Sequence, residues 1–142
     1  MTYATLALLQ DRYGDRMLIS LTDRSQPATG AIDTDVVDRA LADTDALIDG
    51  HISVRYQLPM ATTPDLVVDL AQAIAIYKLH RKSASEKISK DYEQALKSLR
   101  DISTGKIRLD VAGSEPASSG SAGVKTNKTD RPMTNETMKG WI

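Results

Sequence analysis

The longest apolar stretch of the chain lies between residues 63 and 80. Hydrophobic side chains recur there nearly all the way round a helical wheel, with few polar interruptions. A helix that is apolar on most sides is packed on most sides, and this one is too short and too interrupted to span a bilayer. Thr63 is a candidate N-cap, and Pro64 suits the first helical position. The pattern predicts the central helix of a small bundle, with neighbours packed closely against its alanines.

Two long amphipathic segments flank this helix. Over residues 33–55, apolar residues recur at spacings of three and four, which places most acidic side chains outward, Asp45 and Asp49 among them. Gly50 lies inside this segment at some cost in helix stability, which suggests that another backbone approaches there. Residues 86–103 repeat the apolar spacing. Both segments are predicted helices.

The first thirty residues are less regular. Residues 4–13 and 15–21 form two short amphipathic patterns separated by Gly14, and residues 22–32 have the composition of a loop. The predicted fold class is therefore all-α, a small bundle of three to four main helices.

A proline-containing turn joins the two helices at residues 33–55 and 63–80. Its motif is Tyr56-x-Leu58-Pro59. Pro59 disfavours a helical conformation at Leu58 and has no N–H to donate. Because the connection is short, the two helices are predicted to lie antiparallel as a hairpin.

Residues 106–111 alternate polar and apolar side chains, with Ile107, Leu109 and Val111 on one side. This alternation predicts a short strand. The chain offers no convincing second strand, so the sequence suggests pairing with a neighbouring subunit.

The composition changes after this segment. Residues 113–129 are rich in Gly and Ser, as in a flexible linker, and residues 130–142 again carry large apolar groups. Large apolar groups on a tether indicate a docking arm, whereas the alternative is a disordered appendage, against which Trp141 argues. The predicted organisation is a helical domain at 1–112, the linker at 113–129 and the arm at 130–142. The candidate contact residues of the arm are Arg131, Met133, Met138, Lys139, Trp141 and Ile142.

Composition and charge narrow the class of protein. The chain has 142 residues, 41% hydrophobic, with no Cys, no Phe and one Trp, which favours helices over a β-sandwich and excludes thiol chemistry. The net charge of −1 is unevenly spread, with eleven acidic and six basic residues up to position 80, against four acidic and eight basic residues at 81–108. Such polarity suits head-to-tail self-association or a ring with differently charged faces.

No residue pattern predicts catalysis. His51 and His80 have no metal-ligand spacing around them, no nucleophile–base pair is evident, and neither a metal nor another cofactor is expected. The start of the chain shows no secretory signal. Arg81 and Lys82 belong to a basic cluster that is either a solvated helical face or a non-specific contact for DNA phosphates.

Several stretches together resemble a known family. They are Tyr-Ala-Thr at 3–5, Leu-Leu-Gln-Asp-Arg-Tyr-Gly-Asp-Arg at 8–16, Leu-Thr-Asp-Arg at 21–24, the acidic helix that follows and Ile-Ser-Val-Arg-Tyr-Gln-Leu-Pro at 52–59. The chain resembles a Mu-like prophage family from head-morphogenesis regions over residues 2–112 and its last dozen residues. The turn motif is also similar to that of head–tail connector, or adaptor, proteins of tailed phages. The closing Arg131-x-Met133-x5-Lys139-Gly140-Trp141 resembles the family's ending, although Met133 replaces an aromatic residue.

This resemblance implies a virion protein of the neck region that is assembled in the host cytoplasm. It implies a ring of twelve copies beneath the portal protein, extending the DNA channel and receiving a tail-side neck or tail-completion protein. DNA would be passing cargo, and no membrane partner is implied. A small nucleic-acid-binding or DNA-packaging accessory protein is the alternative.

Overall fold

A computed structural model of the chain describes residues 1–111. Within these residues there are five α-helices and no strand. They are α1 (Leu6–Tyr13), α2 (Asp15–Thr22), α3 (Thr34–Ile52), α4 (Asp65–Leu79) and α5 (Glu86–Ser103). The three long helices pack against one another, and the short pair α1–α2 covers α3 and α4. The predicted all-α bundle is confirmed.

Helix α4 is the centre of the bundle, as its sequence predicts. Eight of its fifteen side chains are buried, and they point to several sides of the helix. It packs against α3, α5 and α1, and the stacked rings of Tyr77 and Tyr92, 3.9 Å apart, join it to α5. The predicted Thr63 cap is wrong, because Pro64 occupies the N-cap position and no side chain caps the helix.

Helices α3 and α5 begin with side-chain caps. The carboxylate of Asp33 accepts from the N–H groups of Asp35 and Val36, at 3.0 and 3.4 Å, and the Ser85 hydroxyl accepts from the Ile88 N–H at 3.4 Å. These bonds satisfy N–H groups that have no partner inside the helix. Helix α3 ends at Ile52, three residues before the predicted end, and continues into a turn.

Gly14 separates the two short helices, as predicted. Its φ of +83° is a conformation that favours glycine, and its N–H closes α1 by donating to the Gln10 carbonyl at 2.9 Å. Gly50 behaves differently from the prediction, since a Cβ added there would meet nothing within 4 Å. No backbone in the described part of the chain comes close to it.

Candidate assembly end of the bundle

One end of the bundle holds most of the residues that the sequence singles out. We call it the turn end and define it as the α3–α4 connection at residues 53–60, the segment 105–111 and the N-terminal residues 1–4. Tyr56 lies at its centre with 2% of its surface exposed. Its hydroxyl accepts a buried hydrogen bond of 2.8 Å from the Leu109 N–H. Residues 53 positions apart in sequence are thereby joined.

The segment after α5 is not a strand. The Ile107 N–H donates to the Asp101 carbonyl at 3.1 Å, the Val111 N–H to the Leu109 carbonyl at 3.0 Å, and Leu109 and Val111 are each 7% exposed. The predicted strand is therefore not confirmed, because these N–H groups donate to the last turn of α5, to the segment itself and to Tyr56 rather than to a neighbouring strand. Leu109 and Val111 are buried on the chain's own body and Ile107 is partly buried against it, which removes the reason for pairing them with a neighbouring subunit.

Gly105 lets this segment pass close to the α3–α4 turn. Its φ is +82°, and a Cβ placed on it would lie 2.2 Å from a terminal guanidinium nitrogen of Arg55. A side chain at this position would require both a strained backbone and a displaced arginine. The close approach of Arg55 to Gly105 is a second place where the segment lies against the turn.

The other turn residues divide into inward and outward groups. Leu58 is half-buried against the core and the following Met60 is 4% exposed, whereas Pro59 is exposed and Val54 is 66% exposed. The Leu58–Pro59 peptide bond is cis. The predicted turn motif is thus structural at Tyr56 and Leu58, and of its three named residues only Pro59 is exposed.

The N-terminal residues bind the C-terminal half of α3. The Tyr3 N–H donates to Asp45 at 3.0 Å, the Tyr3 hydroxyl donates to Asp49, and the Met1 ammonium pairs with Asp49 at 3.2 Å. Asp45 and Asp49 therefore do not face outward as predicted. Burial, with the bond to Asp49, raises the pKa of the Tyr3 hydroxyl above its ordinary value. Burial also raises the pKa of Asp45, although the Tyr3 N–H opposes that shift.

These N-terminal contacts were missed from the sequence. The only available signal is that Asp45 and Asp49 are four residues apart and so share one face of α3. The Met60 N–H also approaches the Met1 sulfur at 3.4 Å, which brings residues 1–4 to the same end as the turn.

The predicted DNA-facing residues lie elsewhere. Arg81 and Lys82 are exposed in the α4–α5 connection, beyond the C-terminus of α4 and opposite the turn end. They are not brought together with Tyr56 or with the segment 105–111. The candidate arm residues Arg131, Met133, Met138, Lys139, Trp141 and Ile142, and the linker, lie outside the described residues.

The histidines have backbone partners. Nδ1 of His51 lies 2.9 Å from the Leu47 carbonyl, and Nδ1 of His80 lies 2.8 Å from the Ile76 carbonyl, each four residues back along its helix. Among residues 1–111 there is no group of three or more His, Cys, Asp or Glu side chains placed to hold a metal ion. In the same part of the chain, no helix combines the length and hydropathy needed to cross a membrane.

Comparison with known proteins agrees with the resemblance seen in the sequence. Residues 3–127 match the family model described as Bacteriophage Mu, Gp36. The chain is 30% identical to Gene product J of Escherichia phage Mu over 142 residues, all of both chains. It is 27% identical to the Mu-like prophage FluMu protein gp36 of Haemophilus influenzae over 116 residues, 82% of each chain. The chain is thus a phage protein and belongs to the bacteriophage Mu Gp36 family.

Proposed function

We propose that this protein is a structural head–tail connector. Its copies assemble as a ring beneath the portal protein, extend the DNA channel and receive a neck or tail-completion protein in the virion. Twelve copies is the stoichiometry that the connector resemblance implies. The protein acts by assembly and carries out no reaction.

The observation that carries this proposal is the anchoring of the segment 105–111. The bond from Leu109 to Tyr56 and the burial of Val111 fix residues 109–111 on the helical body, immediately before the linker and arm of the proposal. A docking arm is most effective when it leaves a rigid body at a defined place, because its effective concentration at the partner then depends on the linker alone. This geometry suits a body that docks first and is then locked by its arm.

The linker length fits such a role. The seventeen residues at 113–129 are rich in Gly and Ser. A Gly/Ser-type linker of seventeen residues has in general an end-to-end distance of roughly 20–25 Å, and this is the reach that the proposal gives to the arm. Trp141 and Met138 are the proposed anchors of the arm, since Trp is the most frequent interface hot spot and Met adapts to irregular apolar surfaces.

The test compares full-length protein with a variant that lacks residues 130–142. Each is mixed with assembled portal, and the mass of the complex is measured by light scattering. We expect stoichiometric capture of the full-length protein and none of the truncated one, with equal helical circular dichroism for both. A matched control keeps the arm but shuffles the linker sequence at constant length and composition, and it is expected to be captured normally.

Two results would count against the proposal. Equal capture of the truncated variant by the portal would contradict the proposed role of the arm, but it would still agree with a connector function. If neither the assembled portal nor DNA-filled heads capture the full-length protein, the connector function itself is contradicted.

The exposed pair Arg81 and Lys82 favours the second candidate, a DNA-packaging accessory protein. That function predicts salt-sensitive DNA binding by the isolated protein, lost when both residues are neutralised, together with no capture by the portal.

A further inference from the structure

A cationic groove lies between α3 and α4, at the end of the bundle opposite the turn end. It has a volume of about 160 Å³ and combines Arg24 from the α2–α3 loop, Arg39 from α3 and Lys78 from α4, with Leu79 among its apolar walls. A single water needs only roughly 10–15 Å³, so a five-atom phosphate group fits. Three elements of the fold therefore place three cations around one concave site.

The Arg24 loop is itself held by hydrogen bonds. Asp23 accepts from the Gly30 N–H at 2.8 Å and from the Ser25 N–H at 3.4 Å, and the bond from Gly30 is the largest cause of the lowered pKa of Asp23. The neighbouring carboxylate is therefore committed to backbone donors rather than to Arg24.

The three cations have no carboxylate partner in the part of the chain that the structure describes. Nε of Arg39 donates to the Asp35 carbonyl at 3.2 Å, and Nζ of Lys78 approaches the Asp43 carbonyl at 3.4 Å. By contrast, two lysines on α5 are paired, Lys87 with Asp91 at 2.8 Å and Lys90 with Glu86 at 2.6 Å. The groove thus differs from the charge-balanced surface of α5.

One acidic side chain, that of Asp43, also lines the groove. Three cations against one carboxylate leave the groove cationic. The exposed Arg81 and Lys82 follow two and three residues after Leu79, at the same end of α4. Five cations at one end of the bundle suit a partner with repeated negative charges better than a single small anion.

We propose that this groove binds a backbone phosphate of double-stranded DNA, with Arg81 and Lys82 meeting neighbouring phosphates. Arginine side chains present a planar fork of donors that matches phosphate oxygens. The choice of DNA over an acidic protein segment rests on the proposed function, in which DNA passes through the ring. The preference of the groove for an anion does not depend on the proposed function.

The test uses full-length protein and a fluorescein-labelled 20-base-pair duplex, with fluorescence anisotropy recorded from 50 to 200 mM NaCl. The variant is Arg24→Gln with Arg39→Gln, since both side chains are exposed. The matched control is Lys97→Gln with Arg100→Gln, which removes the same charge from exposed residues of α5. We expect the groove variant to bind about tenfold more weakly at 50 mM salt, and the slope of log affinity against log salt to flatten by about 2.

A third variant tests the sign of the effect. Asp43→Asn keeps the shape of the side chain and removes the opposing charge, so binding is expected to tighten about two- to fourfold at low salt. Equal losses in the groove variant and the α5 control would overturn the proposal, because binding would then follow net charge. No binding by the unmodified protein at 50 mM salt would overturn it as well.

A fluorescein-labelled poly-glutamate peptide distinguishes the two classes of partner. Binding of this peptide that depends on Arg24 and Arg39, without binding of the duplex, would overturn DNA as the ligand and assign the groove to an acidic protein segment. Portal capture of the groove variant is measured in parallel. Normal portal capture of a protein whose DNA binding is absent, or is no weaker in the groove variant than in the α5 control, would be a failure of this inference alone, whereas lost portal capture by the unmodified protein would be a failure of the connector function.

Discussion

The hydroxyl of Tyr56 offers the sharpest test of how the segment 105–111 is anchored. In the variant Tyr56→Phe the ring keeps its place in the core, and only the acceptor for the Leu109 N–H is lost. That bond is buried and 2.8 Å long. Leaving a buried donor without a partner costs about 1–3 kcal/mol. For a domain of this size, a loss of that order lowers the melting temperature by about 4 °C or more.

The assay combines thermal unfolding of full-length protein with hydrogen exchange at the Leu109 amide. We expect the Leu109 amide to lose protection in the variant while amides of α4 keep theirs. The control is Tyr92→Phe, since within residues 1–111 the Tyr92 hydroxyl makes no hydrogen bond and its ring stacking survives the change. A melting temperature within about 1 °C of the unmodified protein, with unchanged protection at Leu109, would refute the anchoring argument.

Three further predictions concern stability, each checked by urea unfolding. Gly50→Ala is expected to stabilise the protein by about 0.5–1 kcal/mol, because α3 gains helix propensity and a Cβ there meets nothing within 4 Å; a loss of stability would place an unseen neighbour at this point. Gly105→Ala is expected to destabilise the protein by more than about 1 kcal/mol, since φ is +82° and the new Cβ would overlap Arg55. An unchanged stability would show that the backbone at residue 105 and the Arg55 side chain both shift without cost. The pKa of Asp45 is raised above its ordinary 3.8, so the Asp45 carboxyl group binds its proton more tightly in the folded state than in the unfolded state. As pH rises through the window above 3.8, the unmodified protein should therefore lose stability relative to Asp45→Asn, which keeps an acceptor for Tyr3; a difference independent of pH would contradict this.

Local signals predicted the helices well. The apolar wheel of α4, the glycine between α1 and α2 and the amphipathic spacing of α5 depend on side chains within one or two turns of each other. Such signals are present in the sequence because helix formation and burial of one face are local in origin. Even the misplaced start of α4 is an error of one or two residues at a proline.

Contacts between distant residues were not predictable in the same way. Alternation at Ile107, Leu109 and Val111 shows only that one side of an extended segment is buried, and it does not distinguish a strand from a segment packed on helices. The binding of Tyr3 to Asp45 and Asp49 joins residues more than forty positions apart. A helical wheel for α3 alone places those acids outward because it contains no information about the N-terminal residues that cover them.

The two ends of the body are far enough apart to be changed independently. From Asp43 in the groove to Ile52, the last residue of α3 before the turn that holds Tyr56, the helix advances nine residues, or about 13 Å. Sites separated by more than about 7–10 Å without shared partners usually combine additively. Neutralising Arg24 and Arg39 should therefore weaken DNA binding by the same factor whether or not Tyr56 is phenylalanine. On the proposed connector function, loosening the segment 105–111 should weaken portal capture alone, because the effective concentration of the proposed arm at its partner then falls. A departure from additivity would show that α3 couples the groove to the segment 105–111.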